Sequence, residues 1–310
     1  MEFKKKADLF MYAFMFELEQ TLQNNINKLK EINFHADEAN VDTELKSFLK
    51  QYIKEEFNRI PEEKWGSNLS LVFTDGRINQ KESLSYSTFK NLYISEVYLP
   101  NELTDNLKEA VRKEGRVFVN PDLLLEIRED DTENITFIPI ELKSTKDDKI
   151  PGSSVQQVTP NEWVLFVKHT DKSVNITVGQ YVNSITQTMQ FPDRSPRPQV
   201  SFKTLSQHNV KYRKKEGKEL IYFIDKESIA KKSKLLKDWQ GILVDRWLDV
   251  IQNEKIKKNE AWFNNTIRRY TLDFLSMYEK MNDAEKAELK FKMKKAVDLY
   301  SQISNGNSEE

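Results

Sequence analysis

Cysteine is absent from these 310 residues, which removes disulfides, thiolate zinc sites and cysteine nucleophiles together. Histidine is scarce. His35, His169 and His208 stand too far apart for a zincin-type helix or another compact histidine site. No apolar run approaches the roughly 20 residues needed to span a bilayer. The segment Met1 to Lys6 is basic, but Asp8, Glu17 and Glu19 break the apolar stretch that a signal peptide needs. An intracellular, soluble chain is expected. An excess of either charge is missing too, since 48 Lys and Arg meet 49 Asp and Glu. That balance argues against a strongly basic protein that coats nucleic acid, and equally against an acidic-tail protein. DNA binding through a local cluster stays open. There is no internal repeat and no long low-complexity segment.

Aromatic residues are plentiful, with 18 Phe, 11 Tyr and 5 Trp, enough for a substantial core. Their order along the chain predicts a mixed α/β fold. Leu9, Phe10, Ala13, Phe14, Leu18, Leu22, Ile26 and Leu29 keep a helical period, and a second helix starts near Asp42 with Leu45, Phe48, Leu49, Tyr52 and Ile53 on one face. Pro61 and Gly66 punctuate the chain. From residue 67 the texture becomes strand-like: Leu69, Leu71 and Phe73 alternate with polar residues ahead of Asp75-Gly76. A helix is expected over 101–114, and strands over 116–128, 135–143 and 163–168. Weaker strands are expected at 174–182 and 220–224. Residues 235–303 read as helical again. The organisation is a helical addition (1–66), an α/β core (67–234) and a second helical addition (235–310), or all of these as one globular unit.

The informative stretch is Asn120-Pro121-Asp122-Leu123-Leu124-Leu125-Glu126-Ile127, then Phe137-Ile138-Pro139-Ile140-Glu141-Leu142-Lys143. Side chains of a strand repeat every two residues, so Glu141 and Lys143 share a face while Leu142 points to the other. The polar segment 129–134 suggests a hairpin turn. If it is the turn, Arg128 pairs with Ile135, and stepping back along both strands sets Asp122 opposite Glu141, with Cβ atoms about 5 Å apart. Two carboxylates that close repel unless a cation lies between them. Mg2+ suits the place, because it takes oxygen ligands and keeps waters for a substrate phosphate. Lys143 would stand near the same phosphate.

The letters alone discriminate poorly. Glu44-Leu45-Lys46 and Glu288-Leu289-Lys290 repeat the Glu-x-Lys pattern, but on helical stretches with no Pro-Asp upstream. Pro192-Asp193 with Glu216-Gly217-Lys218 has the spacing but no apolar strand. Context separates 122, 141 and 143, whose two halves can pair in register. The bland alternative is an ordinary hairpin with charged tips.

Pro121-Asp122 followed by Glu141-Leu142-Lys143 resembles the PD-(D/E)xK nuclease superfamily over residues 116–168, and within it a type II restriction endonuclease. The resemblance implies a restriction-endonuclease-like mixed central sheet flanked by helices. It implies that Asp122, Glu141 and the backbone carbonyl of Leu142 hold Mg2+, and that Lys143 positions the attacking water. A helix after the Glu-x-Lys strand would present polar residues to DNA, here Ser153, Ser154, Gln156 and Gln157. Glu96 and Glu114 are candidates for a fourth acid. Double-stranded DNA as substrate, a homodimer, a cognate DNA methyltransferase in the same system and the cytoplasm of a prokaryotic cell follow as expectations. A repair or mobile-element nuclease of the same superfamily is the alternative, and a non-catalytic DNA-binding protein a second.

DNA contacts are expected in a basic window. Between Arg194 and Lys237, basic residues outnumber acidic ones 13 to 4. Phosphate contacts of this kind give sequence-independent affinity. Lys211, Arg213, Lys214 and Lys215 are the expected contacts, with Gln207, Asn209 and Tyr212 beside them on a loop after Phe202. The bland reading is a solvated lysine-rich face. Trp239, Trp247, Leu248, Trp262, Phe263, Tyr270, Phe274 and Tyr278 form a C-terminal stripe suited to core or to a dimer face.

Overall fold

Helix α1 (Phe3–Asn24) buries side chains all around its middle, from Ala7 to Leu22, and a helix of that kind is stable only when enclosed. A computed structural model, which describes residues 1–30, 32, 38–62, 68–75, 79–112, 120–155, 157–170, 173–190, 197–253 and 261–305, shows what encloses it. Phe10, Met11, Phe14, Met15, Leu18 and Leu22 are all buried. Burying each such side chain contributes about 1.5–3 kcal/mol. Tyr12 touches Trp163 edge-on at 5.2 Å on one side and Tyr222 at 5.1 Å on the other. Those two partners belong to different sheets, so α1 is the filling between them. Helices α2 (Ile26–Lys30) and α3 (Glu38–Gln51) follow, and α3 runs on into a π-helical turn, Tyr52–Glu56.

In chain order the strands are β1 (Asn68–Thr74), β2 (Asn79–Ser85), β3 (Leu92–Tyr98), β4 (Leu123–Glu129), β5 (Ile135–Thr145) and β6 (Lys149–Pro151). Strands β7 (Trp163–His169), β8 (Val174–Gln180), β9 (Ile185–Gln190), β10 (Arg197–Ser201), β11 (Arg213–Glu216) and β12 (Glu219–Asp225) complete them. The remaining helices are α4 (Asp105–Val111), α5 (Tyr181–Ser184), α6 (Phe202–Tyr212) and α7 (Lys226–Lys237). After them come α8 (Trp239–Gln252), α9 (Ala261–Lys280) and α10 (Asp283–Asn305).

The central sheet runs β3-β4-β5-β7-β8, with β5 and β7 parallel and every other pair antiparallel. A second sheet runs β11-β12-β1-β2 and a small third one β6-β10-β9. The chain is thus mixed α/β, with helices flanking several sheets. On the central sheet Leu123, Leu125, Ile127, Ile140, Leu142 and Leu165 join the cluster around α1, to which residues of 1–66 also contribute. The opposite face of β7 carries Val164 and Phe166 into a second cluster with Tyr181, Ile185, Val200 and Leu205. A strand buried on both faces reads as a continuous apolar run, as Trp163 to Val167 does. Among the described residues no helix is long and apolar enough to cross a membrane.

The β4–β5 hairpin has the expected register: Arg128 pairs with Ile135 and Leu123 with Ile140. Asp131 takes a positive φ of 58° in its turn, a conformation that Asp tolerates. Two local expectations fail. No helix follows the Glu-x-Lys strand; after β5 the chain forms β6 and then turns through the described part of 152–162. The reason is local. β6 is zipped to β10, the Gly152 amide continues that pairing to the Pro198 carbonyl at 2.8 Å, and a Cβ at Gly152 would collide with the Tyr181 hydroxyl and that carbonyl. Nor is there a loop after Phe202. Ser201 caps α6 by accepting the Thr204 amide at 3.0 Å, and Leu205 and Asn209 face inward. In the C-terminal stripe Trp262 and Tyr270 are exposed, while Trp239, Trp247, Phe263, Phe274 and Tyr278 are half-buried.

Candidate active site

Asp122 directly precedes β4, and the register of the hairpin carries it opposite Glu141 on β5. One carboxylate oxygen, Oδ2, accepts the Leu142 amide at 2.8 Å, a bond that fixes Asp122 against the strand carrying Glu141. The other, Oδ1, is 2.8 Å from Lys46 Nζ, which reaches in from α3. Glu141 Oε1 accepts Lys143 Nζ at 2.7 Å and also the Ser153 hydroxyl. Leu142, between them in sequence, is buried in the core on the far side of the sheet. Asp122, Lys46, Lys143 and Glu141 are 22%, 16%, 16% and 17% exposed, sheltered yet reachable from solvent.

Burial raises the Asp122 carboxyl above the usual range and the Glu141 charge adds to it, while Lys46 and the Leu142 amide pull the other way. The pair therefore behaves as two anions held too close, relieved in this structure by two ammonium groups. Ser153 is aimed at Glu141 by its own backbone, whose amide donates to the Tyr181 hydroxyl at 2.7 Å. Tyr181 is fully buried, and burial together with the Glu141 charge pushes its phenol above its ordinary value.

The donor set fits a hard dication. Two neighbouring carboxylates offer oxygen donors, and an ion such as Mg2+ takes oxygen ligands and completes its shell with water. Among the described residues no group of three or more His, Asp or Glu side chains is arranged to hold a metal, so the side-chain donors here are two.

Other expected residues fall elsewhere. Glu96 lies on β3 opposite Glu126, where it pairs with Lys54 at 2.6 Å and accepts the Val97 amide. Glu126 is four residues along β4 from Asp122, a distance of about 13 Å. Glu114 and Gln156 lie outside the described residues. Ser154 is buried, its carbonyl accepting the Gln157 and Val158 amides, and Gln157 is half-buried in that turn.

Two cations of the basic window are tied back to α1, while most of its described lysines, Lys203, Lys218, Lys226, Lys231, Lys234 and Lys237 among them, are exposed. Arg213 makes a two-pronged pair with Glu19 of α1, at 2.8 and 2.9 Å, and its guanidinium covers the Phe16 ring. Lys215 pairs with Glu17 at 2.6 Å. The sequence could not show that two buried carboxylates of α1 would claim these cations. Lys211 and Lys214 remain exposed, over the Tyr212 and Phe223 rings. Asn209 is buried and donates to Thr177 Oγ1 and the Val178 carbonyl.

Sequence reasoning missed two residues tied to the site, Lys46 and Tyr181, and a third acid, Glu126, that lies outside it. Lys46 belongs to one of the Glu-x-Lys repeats set aside as helical, and nothing local signals its partner. Tyr181 lies in the weak strand region at 174–182. Glu126 did carry a signal, since even spacing from Asp122 puts it on the same strand face. It is buried beneath Ser95 at 2.8 Å, Tyr98 at 2.7 Å and Arg128 at 2.6 Å. Burial alone would raise its carboxyl, yet those three donors hold it below the usual range.

Compared with protein families, curated proteins and solved structures, the chain matches none.

Proposed function

We propose that the chain is a Mg2+-dependent endonuclease that hydrolyses double-stranded DNA at a specific sequence, as a type II restriction endonuclease does, leaving 5'-phosphate ends. One observation carries this reading: Asp122, one residue ahead of the Leu123–Ile140 pair, is fastened to the Leu142 amide beside Glu141, and Lys143 on the same strand face as Glu141 is hydrogen-bonded to it. The mixed sheet supports a restriction-endonuclease-like core, because the two carboxylates lie at the start of β4 and on its antiparallel neighbour β5, and β5 has a parallel partner in β7.

Asp122, Glu141 and the Leu142 carbonyl would hold the ion, which when bound neutralises charge on the phosphoryl oxygens. Lys143, with three donors, would orient the attacking water and meet the charge that develops on the phosphate. Ser153 keeps Glu141 from swinging away. A homodimer would supply one site per strand, and exposed Trp262, Tyr270 and Phe291 offer apolar surface for it. A cognate DNA methyltransferase in the same system, in the cytoplasm of a prokaryotic cell, belongs to this reading.

The engagement of Arg213 and Lys215 by Glu19 and Glu17 takes up two side chains expected to meet DNA, and favours a second reading: a repair or mobile-element nuclease whose targeting depends on DNA structure. Incubating purified protein with plasmid DNA, with and without Mg2+, tests both. Discrete fragments that vanish with Asp122→Ala support the first, and a smear supports the second. Binding with no cleavage, unchanged by Lys143→Ala, would leave a non-catalytic DNA-binding protein.

A further inference from the structure

Two lysines balance the two carboxylates of the site, and only Lys143 is explained by the strand pattern. Lys46 comes from α3, and its ammonium lies 2.8 Å from Asp122 Oδ1, the oxygen that the Leu142 amide leaves available. A divalent ion shared by Asp122 and Glu141 would need that oxygen. An ammonium and a dication compete for the same lone pairs, and the pairing is strengthened here by partial burial.

Lys46 is the innermost of a row. Lys46, Lys50 and Lys54 recur at every fourth residue and pair with Asp122, Glu102 and Glu96 respectively. The Lys50 and Lys54 pairs are more exposed, and neither carboxylate they bind lies in the candidate site. They tether the helix to the sheet, whereas Lys46 reaches into the chemistry.

On the nuclease reading above, we propose that Lys46 is a resident cation that occupies Asp122 in DNA-free protein and is exchanged for a divalent ion when a DNA phosphate takes over its ammonium. Lys46 is then a positioning residue. Metal and DNA binding become mutually reinforcing, because each removes the contact that opposes the other, and such coupling is reciprocal.

The test is calorimetric titration of Mn2+ into the full chain without DNA, beside anisotropy of a labelled duplex without metal. Lys46→Met should bind Mn2+ roughly tenfold more tightly than wild type, equivalent to about 1.4 kcal/mol. It should also bind duplex more weakly, with the salt slope reduced by about one. Lys46→Arg should restore both values, and Lys50→Met should change neither. If circular dichroism shows Lys46→Met unfolded, Lys46→Gln carries the same comparison. Saturable Mn2+ binding that Asp122→Asn abolishes but Lys46→Met and Lys46→Gln leave unchanged would overturn the proposal and spare the nuclease reading. Absence of Mn2+ binding in every form, with no cleavage, would overturn both.

Discussion

Ser153 holds Glu141 from the far side of the crossover: its hydroxyl donates to Glu141 Oε1 while its amide is pinned on the Tyr181 hydroxyl. The segment expected to be a helix that offers this serine to DNA is instead a turn that aims it at Glu141 on β5. Supporting contacts of this kind around a metal-binding carboxylate are typically worth about 10–100-fold in metal affinity or activity. Ser153→Ala should lose this much of the Mg2+-dependent rate with little change in the unfolding midpoint. An unchanged rate would mean that Lys143 alone orients Glu141.

Arg213 should behave as a stability residue. Breaking a buried ion pair by removing one partner costs about 3–5 kcal/mol, because the other charge is left uncompensated. Arg213→Ala should therefore lower the urea midpoint strongly, and Arg213→Ala combined with Glu19→Ala should cost less than the two separate changes together. A stable Arg213→Ala protein that fails to bind duplex would instead return Arg213 to the DNA interface.

The acid limb of activity should belong to Asp122. Burial and Glu141 raise its carboxyl, so it stays protonated, and unable to hold a cation, to a higher pH than an ordinary aspartic acid. A carboxyl raised on folding contributes stability below its unfolded value of about 4, and that contribution is lost as pH rises through the folded value. Asp122→Asn should thus raise the metal-free unfolding midpoint at neutral pH, with the gain shrinking toward pH 4. Urea titrations at several pH values would show it, and a constant difference would refute it.

His208 should act with the opposite sign. Burial first, then the Lys232 charge, hold its imidazole down to about 4, with nearby Asp225 opposing and Arg213 and Lys211 assisting. A base depressed on folding contributes stability above its unfolded value of about 6.5, lost as pH falls through the folded one. Between those limits the fold should weaken on acidification, and His208→Gln should flatten that part of the profile. The same slope in the variant would assign it to other groups.

The Asp122–Glu141 pair was legible because everything that sets it is local. Strand parity, an apolar run on each side and a turn of known length fix Asp122 against Glu141 within a couple of dozen residues. Lys46, Tyr181 and the inward Arg213 were not legible, since each depends on which helix face or loop meets the hairpin after the chain has folded. The basic window shows the limit most clearly. Its charge count was correct, but charge does not say direction, and Glu17 and Glu19 on an otherwise apolar helix decide it.

The enclosure of α1 has a consequence for biosynthesis. Its glutamates find their cationic partners 194 and 198 residues later, on a strand that cannot pair until β12 exists. At about 5–20 residues per second, a ribosome needs roughly 10–40 seconds to supply them. Through that interval α1, buried all around its middle in the finished fold, waits without its second sheet. Such long-range closure makes for slow folding. Stalls before β12 should be the points at which nascent chains of this protein aggregate.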